Sequence, residues 1–220
     1  ITYRPPTEKD REETLAYTLT APVSRVSPLV ATENGQGARR IALLDFGAKK
    51  GIDAALLRRD CTVKRFPYNS TVEQILEFSP HGVVLSNGPG DPADPCNKII
   101  IETIQELAKR GIPMFGICLG HQLMAIANGY KTQKLKFGHR GANQPVKDMA
   151  TGRVYITSQN HGYSVIADDS SFINVNDGTC EGIDYGLSLS VQFHPEACGG
   201  PQDTSFLFDR FLSRVDDAKK

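Results

Sequence analysis

Pro113-Met114-Phe115-Gly116-Ile117-Cys118-Leu119-Gly120-His121-Gln122 is the stretch on which the fold turns. Pro113–Ile117 is a short apolar run, as expected of a buried strand, and Gln122–Ala127 begins a helix. Between them, Gly116-Ile117-Cys118-Leu119-Gly120 is the cysteine form of the G-x-S-x-G nucleophile elbow. So tight a turn needs small residues on either side of the nucleophile, and glycine also tolerates unusual dihedrals. A cysteine there sits at the carboxyl end of a strand, under the positive end of the following helix. Free N–H groups and the helix dipole favour thiolate over thiol. The competing reading is an inert core cysteine, since cysteine is among the most buried residue types. The flanking glycines and the strand–turn–helix setting favour the nucleophile.

Working outward, the same alternation repeats. Ile41–Asp45, Thr62–Phe66 and Gly82–Ser86 read as strands, and Ile52–Arg59, Val72–Phe78 and Asn97–Arg110 as helices. Continuous apolar strands separated by helices predict an α/β fold, an open and mostly parallel sheet with helices on both faces. After Gly129 the runs shorten and alternate at Arg153–Thr157, Tyr163–Ile166, Phe172–Val175 and Leu187–Phe193. These predict an antiparallel extension plus one returning strand. Thr204–Arg214 closes the chain as a helix whose stripe of Phe206, Leu207, Phe208, Phe211 and Leu212 faces the core. Residues 1–40 carry Pro5, Pro6, Pro22, Pro28, Gly35 and Gly37, with a short helix expected near Glu8–Ala16. They read as a tail or interdomain linker ending at Arg39–Arg40, ahead of a region of different texture from Ile41 onward. The start at Ile1 suggests a fragment or processed product.

Composition excludes whole classes. The chain has 220 residues, 25 basic and 25 acidic, 40% hydrophobic, and no apolar run approaching a membrane span. Zero net charge argues against a general nucleic-acid binder, which must displace counterions from phosphates. Five scattered cysteines without a C-x-x-C pair suggest neither a disulfide framework nor a zinc site, so a reducing, cytoplasmic setting is expected.

A thiol nucleophile needs a base, and the base needs an orienting partner. Among the five histidines, His81, His121, His139 and His161 sit in turns, loops or beside the elbow. His194 instead ends an apolar strand and is followed by Pro195 and Glu196. Two residues apart in an extended chain, His194 and Glu196 would project to one side. The carboxylate could then hold the imidazole and stabilise its charged form. Ser86-Asn87-Gly88-Pro89-Gly90-Asp91-Pro92 leaves the third strand at its carboxyl end, where ligands bind in open α/β sheets. Bare glycine N–H groups there could join the N–H of Leu119 in holding an oxyanion. No G-x-x-x-x-G-K-[ST] occurs, so a Walker-type nucleotide site is not indicated. His194 and Cys198 stand four apart without further ligands, so no metal site is expected.

Residues 116–122 together with Gln192-Phe193-His194-Pro195-Glu196 resemble the class I (triad) glutamine amidotransferases. Within that class, Ser86–Pro92, Phe137–Gly141 (FGHRG) and Ser158–Tyr163 (SQNHGY) are similar to the small subunits of carbamoyl phosphate synthases. The resemblance implies that Cys118 attacks the side-chain amide of L-glutamine, that His194 is the acid and base, and that Glu196 orients it. It makes Leu119 and Gly90 the oxyanion contributors and puts Gly88, Gln122, Asn160, Gly162 and Tyr163 on the substrate. Tyr163 stands where phenylalanine is common. The family's small subunits carry an N-terminal domain that supplies a serine near glutamine; the resemblance makes residues 1–40 the remnant of that domain plus linker, and 41–220 the glutamine amidotransferase domain.

Ammonia released into water at pH 7 is mostly protonated and unreactive, so a chain without a nucleotide site must hand it to a synthase. The resemblance names that partner as the large carbamoyl phosphate synthase subunit. That subunit holds the ATP and Mg, and its product serves pyrimidine and arginine synthesis; no cofactor is expected on this chain. Two other readings stay open: another triad amidotransferase or γ-glutamyl hydrolase, and a regulatory subunit that binds glutamine without hydrolysing it.

Overall fold

The structure is a computed structural model that describes residues 4–16, 20–197 and 202–218. Ile1 and Cys198 lie outside the described residues. The strands are β1 (Thr32–Asn34), β2 (Arg39–Asp45), β3 (Cys61–Pro67), β4 (Gly82–Leu85), β5 (Met114–Ile117), β6 (Lys131–Asp148), β7 (Val154–Ile166), β8 (Phe172–Asn174), β9 (Cys180–Asp184) and β10 (Leu189–Val191). The α-helices are α1 (Glu8–Ala16), α2 (Pro22–Val26), α3 (Lys50–Leu57), α4 (Val72–Glu77), α5 (Lys98–Lys109), α6 (Leu119–Ala127) and α7 (Phe206–Asp217).

Among the described residues the strands form one sheet in the order β1-β3-β2-β4-β5-β10-β9-β8-β6-β7. The contiguous block β3-β2-β4-β5-β10 is parallel. The strands beyond β10 are antiparallel, as is edge strand β1. A parallel block must be covered on both sides, and β2 shows how. Ile41 and Leu43 join α3 and α7 residues in one apolar cluster, while Ala42 and Leu44 join α4, α5 and α6 residues in another. The period-2 pleat sends alternate side chains to opposite faces, so an unbroken apolar run is what this position requires. α7 lays Leu207, Phe208, Phe211, Leu212 and Val215 on the first face, with Phe208 edge-on to Phe115 of β5. Burial of each such side chain contributes about 1.5–3 kcal/mol. On the second face α5 buries Ile100, Ile104 and Leu107, and α4 starts with a Thr71–Gln74 capping box.

The antiparallel half differs from the sequence-based expectation in three ways. Lys131–Asp148 is a long strand, and Val154–Ile166 is one strand rather than two separate runs. β9 was not anticipated. The cause is irregular alternation: the β6–β7 ladder shifts register between Lys134/His139 and again between Gly141/Gln144, at left-handed Gly138 and Gly141. In β9 the buried Glu181 breaks an apolar pattern that its short length could not otherwise establish. His139 and His161, read as loop residues, are therefore paired across the two strands.

Candidate active site

The loops at the carboxyl ends of β2, β4, β5 and β10 converge on one cavity of about 420 Å³. Cys118 stands at its floor, between β5 and α6. Its backbone is left-handed, φ 54° and ψ −102°, a conformation that costs a non-glycine residue of order 1–3 kcal/mol. Contacts on both sides impose it: the Cys118 N–H donates to Val191 O at 2.9 Å, and Gly120 N–H donates to Ser86 O at 3.0 Å. The flanking glycines are obligatory here. A Cβ on Gly120 would lie 2.2 Å from Leu85 O, and one on Gly116 would lie 2.8 Å from Gly120 O.

His194 follows β10. Its imidazole is hydrogen-bonded to Cys118, and Nδ1 is 2.7 Å from Glu196 Oε1. The expected extended H-P-E geometry is replaced by a turn: β10 ends at Val191, and Ala197 N–H donates to His194 O at 3.2 Å. Proline cannot extend the ladder, so the chain turns at Pro195 and brings the carboxylate round to the ring. Burial works against charge on His194, but the bonds to Cys118 and Glu196 outweigh it and hold its pKa up at about 9. At neutral pH the ring therefore holds its proton beside the Cys118 sulfur.

Gly88 and Gly90 line the cavity beside Cys118. A Cβ on Gly88 would strike Phe46 O at 2.4 Å, so this loop rests directly on the chain leaving β2. Leu119 is buried behind the elbow, and its N–H belongs to the first, unbonded turn of α6. Gln122 Nε2 donates to Tyr163 O at 2.9 Å and to Gln192 Oε1 at 2.8 Å, joining α6 to β7. Asn160, Gly162 and Tyr163 line the opposite wall. The Tyr163 hydroxyl is hydrogen-bonded to the Asp91 carboxylate, a partner that phenylalanine would lack.

Of the ten residues singled out from sequence, eight line the cavity. Glu196 stands behind His194, and Leu119 lies behind the elbow. Sequence reasoning missed Val26, Lys49, Asn87, Arg140 and His161, which also line it. Lys49 lay within reach: it follows β2, and strand carboxyl ends are where such sites form. Its Nζ is 4.0 Å from Glu196 Oε1. Lys49, Arg140 and His194 make the cavity electropositive, suited to a ligand carrying a carboxylate.

Among the described residues, His139, His161 and Glu181 form the one group of three with metal-ligand chemistry, their donor atoms within 4.8 Å of one another. All three are already engaged by hydrogen bonds or ion pairs to neighbouring groups. No described helix is long and apolar enough to cross a membrane.

The small chain of carbamoyl phosphate synthase from Bacillus cereus is 47% identical over 214 residues, covering 93% of this chain and 58% of that protein. The pyrimidine-specific small chain of the same synthase from Bacillus subtilis is 47% identical over 205 residues, covering 90% and 56%. The chain thus spans little more than half the length of these relatives. A glutamine amidotransferase from Thermotoga maritima superposes with a TM-score of 0.60 at 18% identity, over 84% of this chain and 86% of that one. At that identity the likeness speaks for the fold alone. The profile described as glutamine amidotransferase class-I matches residues 42–214, which include the elbow, the His194–Glu196 pair and the cavity loops. The chain belongs to the class-I glutamine amidotransferase family.

Proposed function

We propose that this chain carries the glutamine-hydrolysing half of a carbamoyl phosphate synthase. The observation that carries the reading is Cys118, held in a strained elbow and hydrogen-bonded to a histidine that Glu196 orients. The 47% identity to two synthase small chains supports the choice of enzyme within the family.

L-Glutamine enters with its α-carboxylate toward the cationic side of the cavity. Cys118 attacks the side-chain amide carbon as thiolate, with its proton on His194. The negative oxygen that forms is held by the N–H groups of Leu119 and Gly90. Collapse of this intermediate breaks the C–N bond, and the His194 proton leaves with the nitrogen as ammonia. The product on the enzyme is a γ-glutamyl thioester. His194, now neutral, takes a proton from water as the water attacks the thioester, then returns it to sulfur as glutamate departs. Glu196 keeps the Nδ1 proton of the ring in place throughout. Gln122, Asn160, Gly162 and Tyr163 set the amino-acid end. The ammonia passes to a large synthetase subunit, which holds ATP and Mg, in the cytoplasm.

The test is glutamate release and carbamoyl phosphate synthesis by the full-length protein with that partner, using Cys118→Ser. Glutamine-dependent synthesis is expected to fall at least about a thousandfold, as when a nucleophile is removed. Ammonia-dependent synthesis should persist. Equal glutamate release by both proteins would refute the nucleophile, and capture of a different synthase would refute the partner.

A further inference from the structure

We propose that Gln159 and Glu181, both outside the cavity, are positioning residues for the substrate wall formed by Asn160–Tyr163. The inference rests on the reading of the cavity as a glutamine site.

Backbone pairing alone holds this wall weakly. His139↔His161, Arg140↔Asn160 and Gly141↔Gln159 are a short ladder isolated between the two register shifts of β6 and β7. The pleat puts Gln159 and His161 on the buried side of β7 and leaves Asn160 exposed. Behind the strand a chain of side chains does the holding. Glu181 Oε2 is 3.0 Å from Gln159 Nε2, Gln159 Oε1 is 2.9 Å from His161 Nε2, and His161 Nδ1 is 2.7 Å from Tyr163 O. That same carbonyl accepts from Gln122 on the nucleophile's helix. Glu181 is itself tied to Asn174 at 3.1 Å and faces His139 at 3.4 Å.

Proton counting shows why Gln159 is the pivot. Tyr163 O can only accept, so His161 Nδ1 must carry a proton. Burial drives His161 toward its neutral form, with a pKa near 4 despite the Tyr163 carbonyl, and positive charge on His139, His194 and Arg140 adds to the effect. A neutral ring then needs a donor at Nε2. Gln159 supplies one when its amide turns over, an orientation that only the hydrogen-bond pattern assigns. The amide oxygen then faces Glu181, whose carboxyl burial favours in the protonated form. The alternative arrangement keeps the proton on His161 and the carboxylate on Glu181. In that arrangement Gln159 Nε2 also donates to Thr157 Oγ1 at 3.1 Å, so turning the amide requires the Thr157 hydroxyl to leave Gln144 O and donate to Gln159 instead.

The experiment measures glutamine KM and kcat, with ammonia-dependent synthesis as control, in the full-length protein with its synthetase partner. Gln159→Leu and Glu181→Leu are expected to raise KM about tenfold, the loss of one net hydrogen bond, and to change kcat by less than about threefold. Glu181→Gln supplies an N–H to the Gln159 oxygen and should keep KM within about twofold. The 15N spectrum of Glu181→Gln should show His161 fixed as the neutral Nδ1–H tautomer. Unchanged KM in Glu181→Leu overturns the proposal, as does Glu181→Gln impaired as deeply as Glu181→Leu. Loss of ammonia-dependent synthesis in these variants would also overturn it, by showing a general structural role. If Gln159→Leu does not fold, the two Glu181 variants decide. Glutamine hydrolysis surviving in Cys118→Ser would refute the underlying site reading instead.

Discussion

Gly51 touches no substrate, yet Gly51→Ala should cost the enzyme most of its turnover. Gly51 lies in α3, and an ideal Cβ there would stand 2.5 Å from Glu196 O, 3.1 Å from its Cγ and 3.3 Å from its Cβ. The nearest atom is backbone, so no rotamer relieves the clash, and Glu196 must retreat by about half an ångström to reach the closest tolerable contact. The Glu196–His194 bond is 2.7 Å long, and that retreat would stretch it to about 3.2 Å, the far end of the ordinary hydrogen-bond range. A hydrogen bond to a charged group contributes about 1.5–3 kcal/mol, so kcat should fall roughly ten- to a hundredfold. The sign of the pH effect follows as well. Glu196 helps raise the His194 pKa to about 9, so weakening it lowers that value. The charged imidazole is then lost at lower pH, and the alkaline limb of the kcat/KM profile should move down. Alanine is the better helix former, so a loss of activity with an unchanged melting temperature would not be the loss of α3. Steady-state glutaminase kinetics across pH 6–10, with melting temperature alongside, is the assay. An unchanged kcat with an unmoved alkaline limb would refute the claim that Gly51 sets the position of Glu196.

Gly120→Ala should leave little soluble protein, because a Cβ 2.2 Å from Leu85 O forces the elbow away from β4; wild-type yield and melting temperature would contradict this. Cys118→Gly empties a buried side chain but releases about 1–3 kcal/mol of backbone strain, so its melting temperature should stay level or rise while activity vanishes. A fall of more than about 4 °C, roughly 1 kcal/mol or more for a chain this size, would argue against the strain. His139, paired with Glu181 and Asp177, has its pKa raised to about 9 from 6.5. Its contribution to stability is therefore full below about pH 6.5 and lost as pH rises through 9. His139→Gln should flatten the decline of melting temperature over that window, and an unchanged slope would rule the pair out.

The legibility of this molecule divides at β10. On the parallel side the central strands β2, β4 and β5 carry unbroken apolar runs, because both faces are covered, and Ile41–Leu44 alone report two layers of helices. The elbow was legible because its glycines answer to steric demands that few other settings impose. On the antiparallel side, Glu181, His161 and Gln159 occupy core positions. Polar residues in the interior look like loop residues to any periodicity argument. Gly138 and Gly141 looked like turn signals when they were bulges within one long strand. The His194–Glu196 pairing was anticipated for the wrong geometric reason, a strand rather than a turn. Lys49, Arg140 and His161 were missed because a cavity drawn from four loops has no period in the chain.

The glycines of the site share a pattern that bears on how it works. Gly120 lies against Leu85 O, Gly88 against Phe46 O, and Gly51 against Glu196 O. In each case backbone meets backbone with no side chain between. The strand end carrying the nucleophile, the loop proposed to hold the oxyanion, and the turn carrying the orienting carboxylate are thus each seated directly on a neighbouring segment. Side chains can change rotamer, whereas backbone pressed against backbone cannot move without shifting a strand or helix. Donors aimed at developing charge are effective in proportion to how little they must reorganise during the reaction. A site built this way holds its geometry before substrate arrives. It follows that adding one methyl group at any of these three glycines should damage the chemistry, whereas the exposed α1, which buries none of its residues, should tolerate far larger changes.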